Sequence, residues 1–379
     1  MAASRRRRTT PAQAKEAKPK QEPTLTTTAT PGNTRSDLLK ALTFIKPGIA
    51  SGSIIEQSDM VLMDMNRLVS YNDEIAVSHP FSIGHRGGVY ANELIKLLQK
   101  LPSEEIEINE AEAEDGKNQL ILVCGSVEAG FFVAMEVTIP ELGIDAIEEW
   151  YDLPELFCES VSFCLSSAAT DMSKGILTCV NIEEDTILSC DNFRATKKIL
   201  SAPLPDGIVL NIPRIAVKDL PTYNPTQFAK DENWLHFRNT EGTVFSTRTM
   251  AGDFPPVAGL FENVEGEKVP LPKDLKDSLS RAEILASEDE RSKNKVVGIE
   301  IVGGKIVCSG QGQSGWVTEK VTTSHKGDIP KFFINPGMLA QVLDSVQEAT
   351  MTGRSLIFQG DGFSHVVALI AMPKVEDEE

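Results

Sequence analysis

The chain has 379 residues, 41% apolar and 24% charged, with a formal net charge of −18. That length holds two or three domains with a core in each, and the composition is that of a soluble globular protein. No apolar run approaches the roughly 18 residues that span a bilayer and the N-terminus lacks a secretory h-region, so cytoplasmic residence and no membrane partner are expected. Cys124, Cys158, Cys164, Cys179, Cys190 and Cys308 lie mostly inside apolar runs and form no CxxC pair. They are expected as buried free thiols rather than disulfides or zinc ligands.

The acidic balance argues at first sight against a nucleic-acid partner. It is uneven, however. Residues 1–35 carry Arg5 to Arg8, Lys15, Lys18, Lys20 and Arg35 against Glu16 and Glu22, a net +6 that leaves −24 on the rest. This first segment is rich in Ala, Thr and Pro, has almost nothing to bury, and reads as a disordered basic tail. Its arginine run suits an electrostatic handle for DNA, a targeting signal, or a solvated tail with no specific role.

From Ser36, a candidate N-cap, Leu38, Leu39, Leu42 and Ile45 recur at helical spacing. Met60–Met65 and Leu68–Tyr71 alternate as strands around Met65-Asn66-Arg67, a second helix spans Asn92 to Leu101, and Ile106–Ile108, Gln119–Cys124 and Phe131–Val137 read as further strands. The order then repeats. Leu153–Leu165 is a helix, Leu177–Ile182 and Thr186–Cys190 are strands, Asn211–Leu220 is a short helix, and Trp234–Arg238 and Thr243–Thr247 close the set. A third round begins at Leu271, where Pro272 suits a first helical turn and Leu275, Leu279, Ala282 and Leu285 line one face. After a polar break, Ser287 to Asn294, the runs Val296–Val302 and Lys305–Ser309 flank Gly303-Gly304, a two-residue hairpin signal. Asn335–Val346 is the second helix of this round, followed by Ser355–Gln359 and Val366–Met372.

Equivalent elements recur roughly every 120 residues, far above solenoid periods, so these are repeated domains: 36–147, 148–262 and 263–379. Each reads helix, strands, helix, strands, with no βαβ alternation, which predicts an α+β fold with two helices on one face of a mainly antiparallel sheet. Like units in tandem form an arc that head-to-tail association can close.

Chemistry is sparse. Gly310-Gln311-Gly312-Gln313-Ser314-Gly315 matches GxGxxG but leads into the alternating strand pattern Trp316–Val321 instead of a helix, so it reads as a flexible hairpin loop and not a dinucleotide site. The histidines are scattered, no HExxH, GxSxG or Walker-type loop occurs, and no metal site, cofactor or catalytic residue is expected. The predicted helices carry Lys40, Lys46, Lys96, Lys100, Arg214, Lys218, Lys273, Lys276 and Arg281, balanced by nearby acids, so strands and loops hold nearly all the negative charge. A helix-lined surface facing phosphate, or ordinary solvated helices, produces this distribution.

Several stretches resemble the bacterial-type DNA polymerase III beta subunit, the replication sliding clamp. Arg281-Ala282-Glu283-Ile284-Leu285-Ala286-Ser287-Glu288 is similar to that family's third-domain helix end, and Cys190-Asp191-Asn192-Phe193-Arg194-Ala195 to its Thr-Asp-Gly-His-Arg-Leu motif. Gly252-Asp253-Phe254-Pro255-Pro256 is similar to its Gly-(Lys)-Phe-Pro-Asp turn, and Ala371-Met372-Pro373 to its C-terminal Met-Pro. The likeness runs from about Ser36 to Pro373 in the family's order.

The resemblance implies a ring of two chains joined first domain to third, with helices around a hole through which duplex DNA passes unread, and an ATP-driven loader that places it. It implies phosphate contacts from Lys40, Lys46, Lys96, Lys100, Lys174, Arg214, Lys218, Lys273, Lys276 and Arg281. It further implies a cleft between the second and third domains for apolar peptides of a replicative polymerase and the loader. Its walls would be Leu177, Cys190, Asn192, Phe193, Arg194, Ala195, Pro255, Leu260, Ile370, Met372 and Pro373. Phe193 and Ala195 replace the family's His and Leu, Gly259 falls where Arg is usual, and Lys374 to Glu379 extend past the usual end, as in a phage or divergent clamp with its own polymerase. The competing expectation is a non-catalytic scaffold of clamp-like domains that binds peptides but not DNA.

Overall fold

The computed structural model describes residues 34–52, 55–112, 116–140, 142–288 and 294–370. Among these, six α-helices pack as three pairs: α1 (Arg35–Ile45) with α2 (Ala91–Leu98), α3 (Phe157–Cys164) with α4 (Arg214–Tyr223), and α5 (Leu275–Leu285) with α6 (Pro336–Leu343). The local chemistry sets where each begins. Thr34, not Ser36, caps α1: its hydroxyl accepts the Asp37 N–H at 3.1 Å while the Asp37 carboxylate accepts the Thr34 N–H, a capping box. Helix α3 starts later than Leu153, because Leu156 adopts a left-handed φ of 57° and holds the chain out of the helix. The apolar pattern over Asn211–Leu220 divides at Pro213. Val209–Pro213 is a strand and the helix begins only at Arg214. Asn335 caps α6 by accepting the Met338 N–H at 2.9 Å, with Pro336 at the first helical position.

The strands repeat one plan three times. Before the second helix of each pair, four strands hydrogen-bond in the order fourth, first, second, third; after that helix, three more follow as a meander. In the first unit the four are Met60–Asp64, Arg67–Tyr71, Ile75–Pro80 and Arg86–Tyr90. In the second they are Cys179–Glu183, Thr186–Cys190, Arg194–Ile199 and Val209–Pro213, and in the third Val297–Val302, Lys305–Gly312, Gly315–Thr322 and Ile329–Ile334. Units are joined edge to edge. Ile75–Pro80 pairs with Val244–Arg248 of the second unit, and Arg194–Ile199 pairs with Phe363–Ala368 of the third, giving two continuous eight-stranded antiparallel sheets. A half-sheet is left at each end of the arrangement: the three strands Glu107–Glu112, Asn118–Cys124 and Val127–Phe132, and the four of the third unit.

Helices cover one face of these sheets. Leu38, Leu42, Ile45, Leu94 and Leu98 of the first pair and Val161, Ala216, Val217 and Leu220 of the second belong to one apolar core that runs through both units. The third unit has its own, built on Leu275, Leu279, Leu339, Val342 and Phe358. Gly303 and Gly304 take φ of 55° and 71°, as a two-residue hairpin turn requires. Gly310 and Gly312 lie within a strand, not in a flexible loop: a Cβ on Gly310 would sit 2.0 Å from the Ala282 carbonyl oxygen, so the glycine admits α5 against the sheet. All six cysteines are free thiols, and burial pushes Cys158 and Cys308 up to about 11 and Cys179 up to about 12. No helix among the described residues is long and apolar enough to cross a membrane. Arg5 to Arg8, Met372 and Pro373 lie outside the described residues.

Candidate nucleic-acid interface and partner cleft

Ten cations were expected to meet phosphate, and the structure sorts them by what else they do. Lys40 on α1 and Lys46 at its end, Lys96 on α2 and Lys100 beyond it, Lys174 in the turn after α3, Lys218 on α4 and Lys273 ahead of α5 are exposed and make no salt bridge among the described residues. Three others are engaged within the fold. Arg214 is half-buried, and one guanidinium nitrogen donates to the carbonyls of Leu165 at 2.8 Å and Ala168 at 2.9 Å, closing the C-terminal end of the α3 segment. Desolvation lowers its pKa. Lys276 pairs with Asp344 at 2.5 Å, just past α6. Arg281 forms two parallel bonds to Glu319, each 2.7 Å, tying α5 to the strand Gly315–Thr322.

The expected partner cleft sits where the second and third units share a sheet. On the face away from the helices, cross-strand neighbours form a row: Cys190 opposite Ala195, Ala195 opposite Val366, Val366 opposite Ile357. All four are buried, and Leu177, Leu188, Phe254, Val257 and Phe261 pack on them to make a small apolar cluster. Pro255 is half-buried on the same 254–261 segment, and Leu260 stands 51% exposed beside it. Burial, then the Asp191 charge, pushes the Cys190 thiol up to about 11.

Asn192, Phe193 and Arg194 occupy the rim nearest the third unit. Asp191 accepts the N–H groups of Phe193 and Arg194 at 3.1 Å each, a turn that needs the left-handed φ of 77° at Asn192. Phe193 packs toward the third unit's core. The Arg194 guanidinium donates to Asp191 at 2.9 Å and to the Gln341 side-chain oxygen of α6 at 2.6 Å. Ile370 belongs to the third unit, its N–H donating to the Phe333 carbonyl at 2.8 Å. The structure thus brings Leu177, Cys190 and Ala195 into one cluster and sets Asn192 to Arg194 on its edge. Phe254, Phe261, Ile357 and Val366 were not anticipated as site residues. Alternation in the strands signalled one apolar face, but only the register across the unit boundary places Val366 against Ala195.

No family model and no curated protein matches this sequence. Solved structures do match. The DNA polymerase III beta chain of Streptococcus pneumoniae TIGR4 superposes with a TM-score of 0.77 at 19% identity, covering 89% of this chain and 98% of that one. The DNA polymerase sliding clamp of Bacillus subtilis gives 0.74 at 15% identity, over 90% and 98%. A sliding clamp (DNA polymerase III subunit beta) of Pseudomonas aeruginosa, solved bound to griselimycin, gives 0.75 at 15% identity, over 89% and 98%. The chain has the sliding-clamp fold. At identities this low the likeness is one of fold, and it extends over nearly the whole length of both chains.

Proposed function

We propose that this protein is a DNA sliding clamp: a non-catalytic cytoplasmic processivity factor, two copies of which close a ring around duplex DNA. One observation carries the reading. Each internal boundary joins a half-sheet of one unit to a half-sheet of the next, and an unmatched half remains at either end. The strands at the equivalent positions there are Val127–Phe132 and Gly315–Thr322. Their outer edges are the surfaces that protein chains normally protect. Exposed apolar side chains lie at the same two strands: Phe132 on one, Trp316 on the other, with Ile284 on the helix packed against the second. Head-to-tail pairing of a second copy covers both ends and yields six like units in a closed cycle.

Within such a ring the free helix-borne lysines attract phosphate without reading bases, so the duplex slides, and enclosure rather than affinity retains it. The acidic remainder of the surface discourages wrapping on the outside. The cluster at Cys190, Ala195, Val366 and Ile357 supports docking of an apolar peptide from the replicative polymerase or an ATP-driven loader, with Arg194 at its rim. We take residues 36–147, 148–262 and 263–379 as the three domains. The test is retention: the protein loaded on nicked circular DNA should survive high salt and be lost when the circle is linearised. Equal loss from circle and line overturns the reading. Neutralising Lys96, Lys100 and Lys218 should weaken loading; if loading and polymerase stimulation are unchanged, the peptide-binding scaffold is the better account.

A further inference from the structure

In the second and third units, the backbone entering the first helix lies on a sheet edge: Tyr151–Asp152 on Gln227–Lys230, and Glu267–Pro270 on Glu348–Met351. At the same place in the first unit, among the described residues, Thr34 alone bridges Glu105, with the Arg35 N–H donating to the Glu104 carbonyl at 2.8 Å. The strand that follows, Glu107–Glu112, borders this position and is acidic. Glu104, Glu105, Glu107, Glu110 and Glu112 are all exposed.

At the far end of that strand is a cleft of about 520 Å³, with His85, Glu110 and Glu112 among its walls. His85 is 1% exposed, and its Nδ1 lies 2.9 Å from a Glu110 carboxylate oxygen. The other ring nitrogen, Nε2, has no partner among the described residues. The cleft therefore offers two carboxylates and an unpartnered, buried imidazole nitrogen. Among the described residues, the cation on its wall is Arg86, 71% exposed and turned toward Asp64 at 3.6 Å. A side chain that only donates, a Lys ammonium or an Arg guanidinium, is the complementary guest.

The geometry points to the chain's own N-terminal segment, residues 1–33, as the occupant of this edge, docked in cis with a basic side chain in the His85 cleft. Three facts select it. Thr34 joins Glu105 antiparallel, so the chain preceding it heads along the strand toward the cleft. Lys20, Lys18, Lys15 and Arg5 to Arg8 precede Thr34 with ample chain to reach the cleft, at about 3.3 Å per residue. The segment opposes those seven cations with only Glu16 and Glu22. Pro31 has no N–H to give to the ladder, so charge, more than strand pairing, holds the segment beyond Asn33. The inference does not rest on the clamp reading.

Hydrogen exchange on the full-length protein, free of DNA and at low salt, tests it. A variant with Arg5 to Arg8, Lys15, Lys18 and Lys20 changed to Gln leaves the folded body untouched. Its Ile106–Glu112 amides should exchange about tenfold faster than in the parent, and the parent should lose its advantage near 0.5 M salt. Glu110→Gln with Glu112→Gln should reproduce the loss. Equal exchange in parent and tail variant overturns the proposal. So does protection that rises with protein concentration, which assigns the site to a second copy's tail, or protection that appears only on adding duplex DNA.

Discussion

The two unit boundaries share a hydrogen-bonding plan and reverse its chemistry. Between the first and second units the row on the helix side is Ser70, Val77, Phe245 and Phe237, and the row on the opposite face is Tyr71, Ala76, Ser246 and His236. Between the second and third units the helix-side row is Ser189, Thr196, His365 and Phe358, and the opposite row is Cys190, Ala195, Val366 and Ile357. Apolar side chains on the helix side fuse the first two units into one core. Polar ones there leave the third core separate, joined through a hydrogen-bonded chain in which the Ser167 and Thr196 hydroxyls lie 2.6 Å apart and Thr196 sits 2.8 Å from His365 Nδ1. On the far side, His236 is satisfied by Ser246 at 2.8 Å and Asp231 at 3.2 Å, whereas Val366 and Ile357 offer only apolar surface. The outward row of the first boundary is therefore mixed, Ser246 and His236 beside Tyr71 and Ala76 with Trp234 and Leu62 clustered near them, while that of the second is apolar throughout.

The largest effect expected from this contrast is a split in cooperativity. Phe237→Ala, at a fully buried position of the shared core, should cost about 3–5 kcal/mol and lower the melting of α1 to α4 together. Leu339→Ala should cost about 2–5 kcal/mol and act on the third unit alone. Hydrogen exchange resolved by segment checks this, and equal loss of protection everywhere would break the contrast.

Next comes acid. Burial, reinforced by the Arg194 charge, lowers His365 from 6.5 to about 4, so the folded state prefers the neutral ring. Protonation then favours the unfolded chain. Stability at this boundary is complete above pH 6.5, falls by on the order of 3 kcal/mol as pH drops toward 4, and levels off below that. Urea unfolding of the third unit against pH should show that slope, and His365→Gln should flatten it. His236 is also held below its ordinary value by burial, partly offset by Asp231, so the His365 variant is the control that isolates one boundary.

Arg214→Ala should cost about 2–3 kcal/mol by orphaning two carbonyls, a loss that Lys218→Gln should not share. The pair separates a cation that holds the fold from one free for phosphate. Smallest is Val366→Thr, which buries a hydroxyl in the apolar row. It should cost about 1 kcal/mol and weaken an apolar partner peptide about fivefold, measured by titration.

Helices with leucines at regular spacing, such as α1 and α5, were legible in the sequence, as was the Gly303-Gly304 hairpin. Boundaries set by backbone chemistry were not. Ser36 precedes the leucine pattern, yet the Thr34–Asp37 box starts the helix, and Pro213 divides a pattern that periodicity alone runs together. The strand Arg194–Ile199 carries no apolar alternation, its sequence Arg-Ala-Thr-Lys-Lys-Ile being polar; its place comes from ladders on both sides. The same holds for the site. Exposed lysines on helices were readable, but the engagement of Arg214, Lys276 and Arg281 with carbonyls and carboxylates depends on contacts between segments far apart in sequence.

Arg281 illustrates what such an engagement achieves. Its paired bonds to Glu319 brace the terminal strand against α5 before any second copy arrives. A braced strand has little conformational entropy left to lose, so in the proposed ring closure would be rigid-body docking instead of coupled folding. Assembly should then proceed in a single bimolecular phase, and parting the seam should leave both faces intact for the next encounter.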